Sequence, residues 1–161
     1  VGHPLDWGDA SGWAERGRKL EDEAIRWLEF QHDVEVQRVG FLLRDDGMFG
    51  GSPDGIIGND GGVEIKVPAM HTHIGYMIDN ATLAAAYRGQ VQAYLNITGR
   101  EWWKLVSYHP DLPPVVLHIE REDAYARALD AAINVFSGEL LHGKDLLAQY
   151  KRRTLAEERV A

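Results

Sequence analysis

The chain has 161 residues, 45% of them hydrophobic and 26% charged, a balance that suits one domain with its own core and no need of disulfides or a structural metal. It has no cysteine, which excludes thiol nucleophiles, zinc–thiolate sites and disulfide frameworks, and no run approaches the roughly 20 apolar residues of a membrane span. The net charge of −8 runs against a nucleic-acid partner, because phosphates ordinarily select a basic footprint; only the local arrangement of charge can answer that objection.

The chain begins with Val1 rather than methionine, on a run rich in glycine and tryptophan (Trp7, Gly8, Gly12, Trp13), so an incomplete N-terminus is one expectation. Over residues 12–30, Leu20, Ala24, Trp27 and Leu28 recur at helical spacing and predict a helix, with Glu21 beside its apolar stripe. Residues 34–43 cluster β-formers and predict a strand, and Arg44-Asp45-Asp46-Gly47 reads as the turn of a hairpin. Strands near 48–57 and 63–67 follow, joined by the turn Gly58-Asn59-Asp60-Gly61-Gly62. Pro68 ends the second strand and leaves His71 and His73 on a loop.

A second helix is predicted over residues 81–96 from the apolar face of Leu83, Ala86, Tyr87, Val91, Tyr94 and Leu95, with Gly99 as its stop. Strands near 102–108 and 114–120 are divided by the breaker run Pro110-Asp111-Leu112-Pro113-Pro114, and helices over 123–136 and 144–158 finish the chain. This order predicts a single α/β (α+β) domain over residues 1–161, a mixed sheet of about five strands flanked by helices.

The residues that carry chemistry gather where the hairpin meets the next strand. Ser52-Pro53-Asp54-Gly55 sets a carboxylate on a tight stretch, and Glu64-Ile65-Lys66 puts a Glu and a Lys two apart, on one face of a strand. If the strands pair across the glycine-rich turn, Asp54 and Glu64 converge. Adjacent carboxylates repel unless a cation lies between them, and oxygen ligands suit a hard ion such as Mg2+ or Mn2+. A lysine alongside suits phosphodiester hydrolysis, where it orients the attacking water and offsets developing charge.

Taken alone, the triplet also describes a solvated strand edge, Glu21 an ordinary helix acid, and Tyr87 and Tyr94 core aromatics. Gln90 and Gln92 diverge by about 200° on a helix, so only one faces the site, and Gln90, one turn after Tyr87, is the choice. His71 and His73 read as substrate-contacting or exposed rather than metal-ligating. Trp102 and Trp103 open a strand, one in the core and the other exposed, in an order the pattern leaves open. Arg16, Arg18, Lys19, Arg88 and Arg100 are candidate phosphate contacts; Lys144, Lys151, Arg152 and Arg153 form either a solvated face or a rail for DNA.

The runs Ser52-Pro-Asp-Gly-Ile and Gly62-Val-Glu-Ile-Lys-Val-Pro68 resemble the core motif of the PD-(D/E)xK nucleases, and in detail the phage lambda exonuclease (YqaJ-type viral recombinase) family. Gly17-Arg-Lys-Leu-Glu21 upstream and Tyr87-Arg-Gly-Gln90-Val-Gln92-Ala-Tyr94 downstream match two further elements, in the family's order, so that the resemblance covers about residues 13–122. It implies a restriction-endonuclease-like core and a Mg2+-dependent deoxyribonuclease, with Mn2+ as substitute and one or two ions per site. Asp54, Glu64 and the backbone carbonyl of Ile65 are the implied metal ligands, Lys66 assists the water, and Glu21 completes the site through a second ion or through water. Gln90 supports catalysis; Tyr87, Arg18, Ser52 and His71 contact substrate.

The activity so implied is digestion of one strand of linear double-stranded DNA from its end, 5′ to 3′, by a homotrimeric ring around the DNA. The resemblance also implies a single-strand annealing protein as companion and a phage or prophage protein acting in the cytoplasm of a bacterial host. The family's N-terminal segment, which helps bind the 5′ phosphate, is short or missing here. A structure-specific or restriction-like endonuclease using the same residues, a non-catalytic DNA-binding module on the same fold, and a hydrolase of small phosphate esters are the competing readings.

Overall fold

A computed structural model of the chain describes residues 10–158 and, of the side chains, those of residues 15–152. Trp7 and Gly8, and the side chains of Trp13 and Arg153, lie outside the described residues. The chain runs α1 (Ala10–His32), β1 (Val36–Gln37), β2 (Leu42–Leu43), β3 (Gly50–Gly51), β4 (Gly55–Ile57) and β5 (Gly61–Lys66), then α2 (Met70–Ile78), α3 (Asn80–Thr98), β6 (Trp102–His109), β7 (Leu112–Glu120) and α4 (Asp123–Glu158).

Five strands form one sheet in the order β1-β4-β5-β6-β7, with β2 and β3 pairing apart as a ribbon. Only β5 and β6 run parallel within the sheet, so it is mixed, and the expected fold class and strand number hold. Helices cover both faces. Ala24 and Leu28 of α1 pack with Val36, Ile57, Val63, Ile65 and Val106 on one side. On the other, Leu83, Val91, Tyr94 and Leu95 of α3 pack with Trp103 and Leu105.

The two glycines that open β5 are required by their neighbours on β6. A Cβ at Gly61 would stand 2.1 Å from the Trp102 ring, and one at Gly62 would stand 2.3 Å from that of Trp103. Trp103 is fully buried, while Trp102 is half-buried. At the end of α3, Gly99 takes the left-handed conformation (φ 68°) and its N–H closes on the Leu95 carbonyl, as its role of helix stop requires.

Five local expectations change. Residues 34–43 hold two short strands in different sheets rather than one, and residues 48–57 divide likewise around Pro53, which has no N–H to give to a ladder. The expected loop after Pro68 contains α2, whose N-cap Ala69 offers no capping side chain and so leaves no start signal. Pro113 and Pro114 lie inside β7, where the edge position frees one side of the strand and an irregularity in the pairing with Ser107–His109 of β6 interrupts the ladder on the other. The two terminal helices are one, and α4 absorbs Gly138 and Gly143 without interruption. No helix among the described residues is long and apolar enough to cross a membrane.

Candidate active site

The antiparallel register of β4 and β5 pairs Gly55 with Val63, so one further step brings Asp54 opposite Glu64. Gly55 must be glycine, because a Cβ there would come within 2.4 Å of the Val36 side chain. The Asp54 carboxylate is then fixed by a hydrogen bond from the Ile65 N–H to Oδ2 at 2.6 Å. Ile65 itself is buried in the core, which anchors the peptide whose carbonyl is the expected third oxygen ligand.

Glu64 is only 4% exposed, which removes the solvated-edge alternative for this strand. Its Oε1 accepts hydrogen bonds from Lys66 Nζ and from Gln90 Nε2, each at 2.7 Å. Its Oε2 is buried with no hydrogen-bond partner. Leaving a buried oxygen unsatisfied is costly, and a cation beside it would remove that cost. Burial, and then the neighbouring Asp54 carboxylate, push the Glu64 pKa up to about 7 against the pull of Lys66 and Gln90. Burial also raises Asp54, while the Ile65 N–H and Lys66 oppose the rise.

Helix α1 brings Glu21 to the same field: burial raises its pKa first, then Asp54, with Arg38 and Lys66 pulling the other way. Among the described residues no three His, Asp or Glu side chains converge on one ion-sized point. The close pair is therefore Asp54 and Glu64, with Glu21 further off. Two carboxylates, one with an orphaned oxygen, and an adjacent main-chain carbonyl make a hard-oxygen donor set that fits Mg2+ or Mn2+.

Helix α3 supplies the backing. Gln90 Nε2 also donates to the Tyr94 hydroxyl at 2.8 Å, which in turn donates to the Ser52 carbonyl at 3.2 Å. Glu64, α3 and the loop carrying Asp54 are thereby joined in one chain of hydrogen bonds. The Lys66 ammonium lies over the Tyr87 ring, 4.6 Å from its centroid. Gln92, as its angular position requires, turns away: it is buried and bonds the Glu120 carbonyl (2.8 Å) and the Glu122 N–H (3.1 Å).

Other candidates lie elsewhere. Arg18 and His71 are exposed, on α1 and in the first turn of α2, and Ser52 meets the network through its backbone. His73 is neither ligand nor substrate contact: it is fully buried, with Nε2 donating to the Pro113 carbonyl (3.0 Å) and Nδ1 hydrogen-bonded to the Ser107 hydroxyl (2.7 Å). Arg88 pairs with Glu122 and lies over the Tyr125 ring, and Arg100 donates to the carbonyls of Ile57, Gly58 and Gly61, so both are bound to the protein itself. Lys144, Lys151 and Arg152 are exposed on α4.

One charged residue of the site went unread in the sequence. Arg38 pairs with Asp22 and acts on both Glu21 and Asp54. A lone arginine in a stretch of broken strands carries no periodic or motif signal.

A family model described as the YqaJ-like viral recombinase domain matches residues 4–101. The fold is similar to the crystal structure of an alkaline exonuclease, LHK-Exo, from Laribacter hongkongensis, at 32% identity and a TM-score of 0.75 over 89% of this chain and 74% of that one. The same exonuclease in complex with dAMP matches at 32% identity and a TM-score of 0.75, over 89% and 73% of the two chains. No curated protein matches the sequence.

Proposed function

Because the chain belongs to the YqaJ-like viral recombinase family, we propose that it is a phage-type DNA exonuclease that removes nucleotides from one strand of a linear duplex. The observation that carries this reading is the buried Glu64 beside Asp54, with one oxygen held by Lys66 and Gln90 and the other without a partner. Asp54, Glu64 and the Ile65 carbonyl would hold Mg2+, or Mn2+ in its place. The ion, when bound, supplies neutralisation of the scissile phosphate and a lowered pKa for water.

The chain's own residues do the rest. Lys66 Nζ, steadied by Tyr87 and Glu64, directs a positive charge at the phosphate and orients the attacking water. Gln90 holds the Glu64 carboxylate in place, and Glu21 reaches the site through water from α1. Three carboxylates stand here against Lys66 and Arg38, so part of the acidic charge of the chain belongs to the site and does not repel DNA once a divalent cation is seated.

The dAMP complex of the exonuclease from Laribacter hongkongensis supports a nucleoside monophosphate as product. The resemblance supports 5′-to-3′ polarity, action in the bacterial cytoplasm and a single-strand annealing protein as companion. Self-assembly into a trimer is supported by α4, which leaves Val135, Phe136, Leu140, Leu141, Leu147 and Tyr150 exposed.

The test is digestion of end-labelled linear duplex with Mg2+, Mn2+, Ca2+ or EDTA, comparing the unaltered chain with Glu64→Ala. Degradation is expected with the first two ions only, with a loss of at least about two orders of magnitude in rate on substitution. Equal rates in EDTA, or an undiminished Glu64→Ala, would overturn the reading. Nicking of a supercoiled circular plasmid would replace the exonuclease with an endonuclease using the same residues.

A further inference from the structure

We propose that Arg38 is a resident counter-ion of the carboxylate site, which keeps the divalent cation loosely bound until a DNA phosphate draws the guanidinium away. The inference rests on the nuclease reading above. It adds a coupling between cation and substrate, carried by a residue that is neither an expected metal ligand nor part of the hydrogen-bond chain through Gln90.

Two constraints place Arg38 at the site. Its backbone runs beside that of Asp54: Gln37 of β1 pairs with Ile56 of β4, so the next step sets Arg38 level with Gly55. The approach is close, since a Cβ on Gly55 would stand 3.2 Å from the Gln37 carbonyl oxygen. The Arg38 side chain crosses to α1, where Nη2 pairs with Oδ1 of Asp22, the residue after Glu21. The guanidinium thus bridges the strand edge beside Asp54 and the helix that carries Glu21. Burial raises the carboxyl pKa of both Glu21 and Asp54, and Arg38 is among the charges that oppose the rise at each.

The two cations of the site are held differently. Lys66 is gripped by the buried Glu64 and lies over the Tyr87 ring. The side chains of Arg38 and Asp22 are 46% and 57% exposed, and an ion pair so open to water is weak and exchanges partners readily. A phosphate offers the guanidinium two parallel hydrogen bonds, a better match than the one contact it makes with Asp22.

Charge then links the ion to the DNA. In the free chain, a positive charge facing Glu21 and Asp54 repels the divalent cation that those carboxylates would attract, and so lowers its affinity. A DNA phosphate takes up Arg38 and adds its own negative charge beside the ion. Cation affinity rises, and by reciprocity a bound cation strengthens DNA binding by the same factor. The site is thereby loaded on its substrate rather than before it.

The experiment titrates Ca2+, with which no cutting is expected, calorimetrically at pH 8 into the full chain with and without linear duplex, subtracting the ion taken up by duplex alone. Arg38→Gln, Arg38→Lys and Glu64→Ala are titrated likewise, with melting temperatures to check folding, and Mg2+-dependent digestion of the duplex is measured alongside. Duplex should tighten Ca2+ binding to the unaltered chain by at least about tenfold. Without DNA, Arg38→Gln should bind Ca2+ at least about threefold more tightly than the unaltered chain, whereas an arginine with a merely structural task would weaken binding when replaced. Arg38→Lys keeps the charge but not the fork, so it should match the unaltered chain without DNA, and both variants should gain less from duplex. If duplex leaves the Ca2+ affinity of the unaltered chain unchanged, a comparison that needs no variant, or if Arg38→Gln binds the ion no more tightly, the coupling falls while Mg2+-dependent digestion keeps the nuclease. If Ca2+ binding survives Glu64→Ala and the unaltered chain degrades no DNA, both fall.

Discussion

Glu64 is held protonated by its surroundings up to a pH near 7, well above the ordinary carboxyl value of 4.5. Between those values the folded chain keeps a proton that the unfolded chain has released. In EDTA its stabilising contribution is therefore full below pH 4.5 and is lost as the pH rises through 7, a change of at most about 3 kcal/mol. Calorimetric melting in EDTA from pH 5 to 8 should show the unaltered chain losing stability relative to Glu64→Gln, with Mg2+ restoring it at pH 8. Parallel curves for the two proteins would mean that Glu64 is ionised throughout. Because a bound cation favours the ionised carboxylate, the Mg2+ concentration needed for half-maximal cleavage should fall as the pH rises through the same range. The spacing of Asp54, Glu64 and Lys66 was legible because a strand repeats every two residues and a short turn fixes the register. Arg38 and the buried state of His73 were not, because each depends on partners distant in the chain, Asp22 for one and Ser107 and Pro113 for the other.

Helix α3 serves two neighbours through glutamines two residues apart. Gln90 faces the carboxylates, and Gln92 ties the helix to the junction of β7 and α4. Their alanine variants should separate the two tasks. Gln92→Ala leaves the Glu122 N–H and the Glu120 carbonyl without their partner and should cost about 1–3 kcal/mol in urea unfolding with kcat unchanged. Gln90→Ala should lower kcat by roughly tenfold or more with a smaller effect on unfolding. Matched losses in both assays would show that the two side chains act together. The long helices were legible from apolar residues at a 3.6-residue repeat, and Gly99 as a stop from its conformational freedom. Strands of two residues, such as β1 and β3, have no period to read; their pairing is set by partners elsewhere in the chain. Helix α2 lacks a start signal, and the prolines of β7 resemble a breaker until its edge position is known.

Over the whole molecule, α4 extends for 36 residues and leaves a row of apolar side chains uncovered among its described residues, with Phe136 65% exposed and Leu147 54% exposed. With a chain mass of 18.1 kDa, a trimer would have three times that, about 54 kDa, by light scattering. Leu140→Glu with Leu147→Glu should shift the mass toward that of one chain and shorten the run of nucleotides removed per encounter with DNA, while the cleavage step survives. A single-chain mass for the unaltered protein would count against the ring. Neither the continuity of α4 nor its uncovered face could be read from composition, since Gly138 and Gly143 look like an interruption when seen as sequence alone.

The parallel pairing of β5 with β6 has a consequence for how the protein is made. Glu64 and Lys66 leave the ribosome long before residues 102–107, the strand that pairs with β5 on its other side. Until that strand arrives, one side of β5 has no partner and the acidic pair it carries lacks its final surroundings. The proposed site is therefore completed only after residues 102–107 have been made.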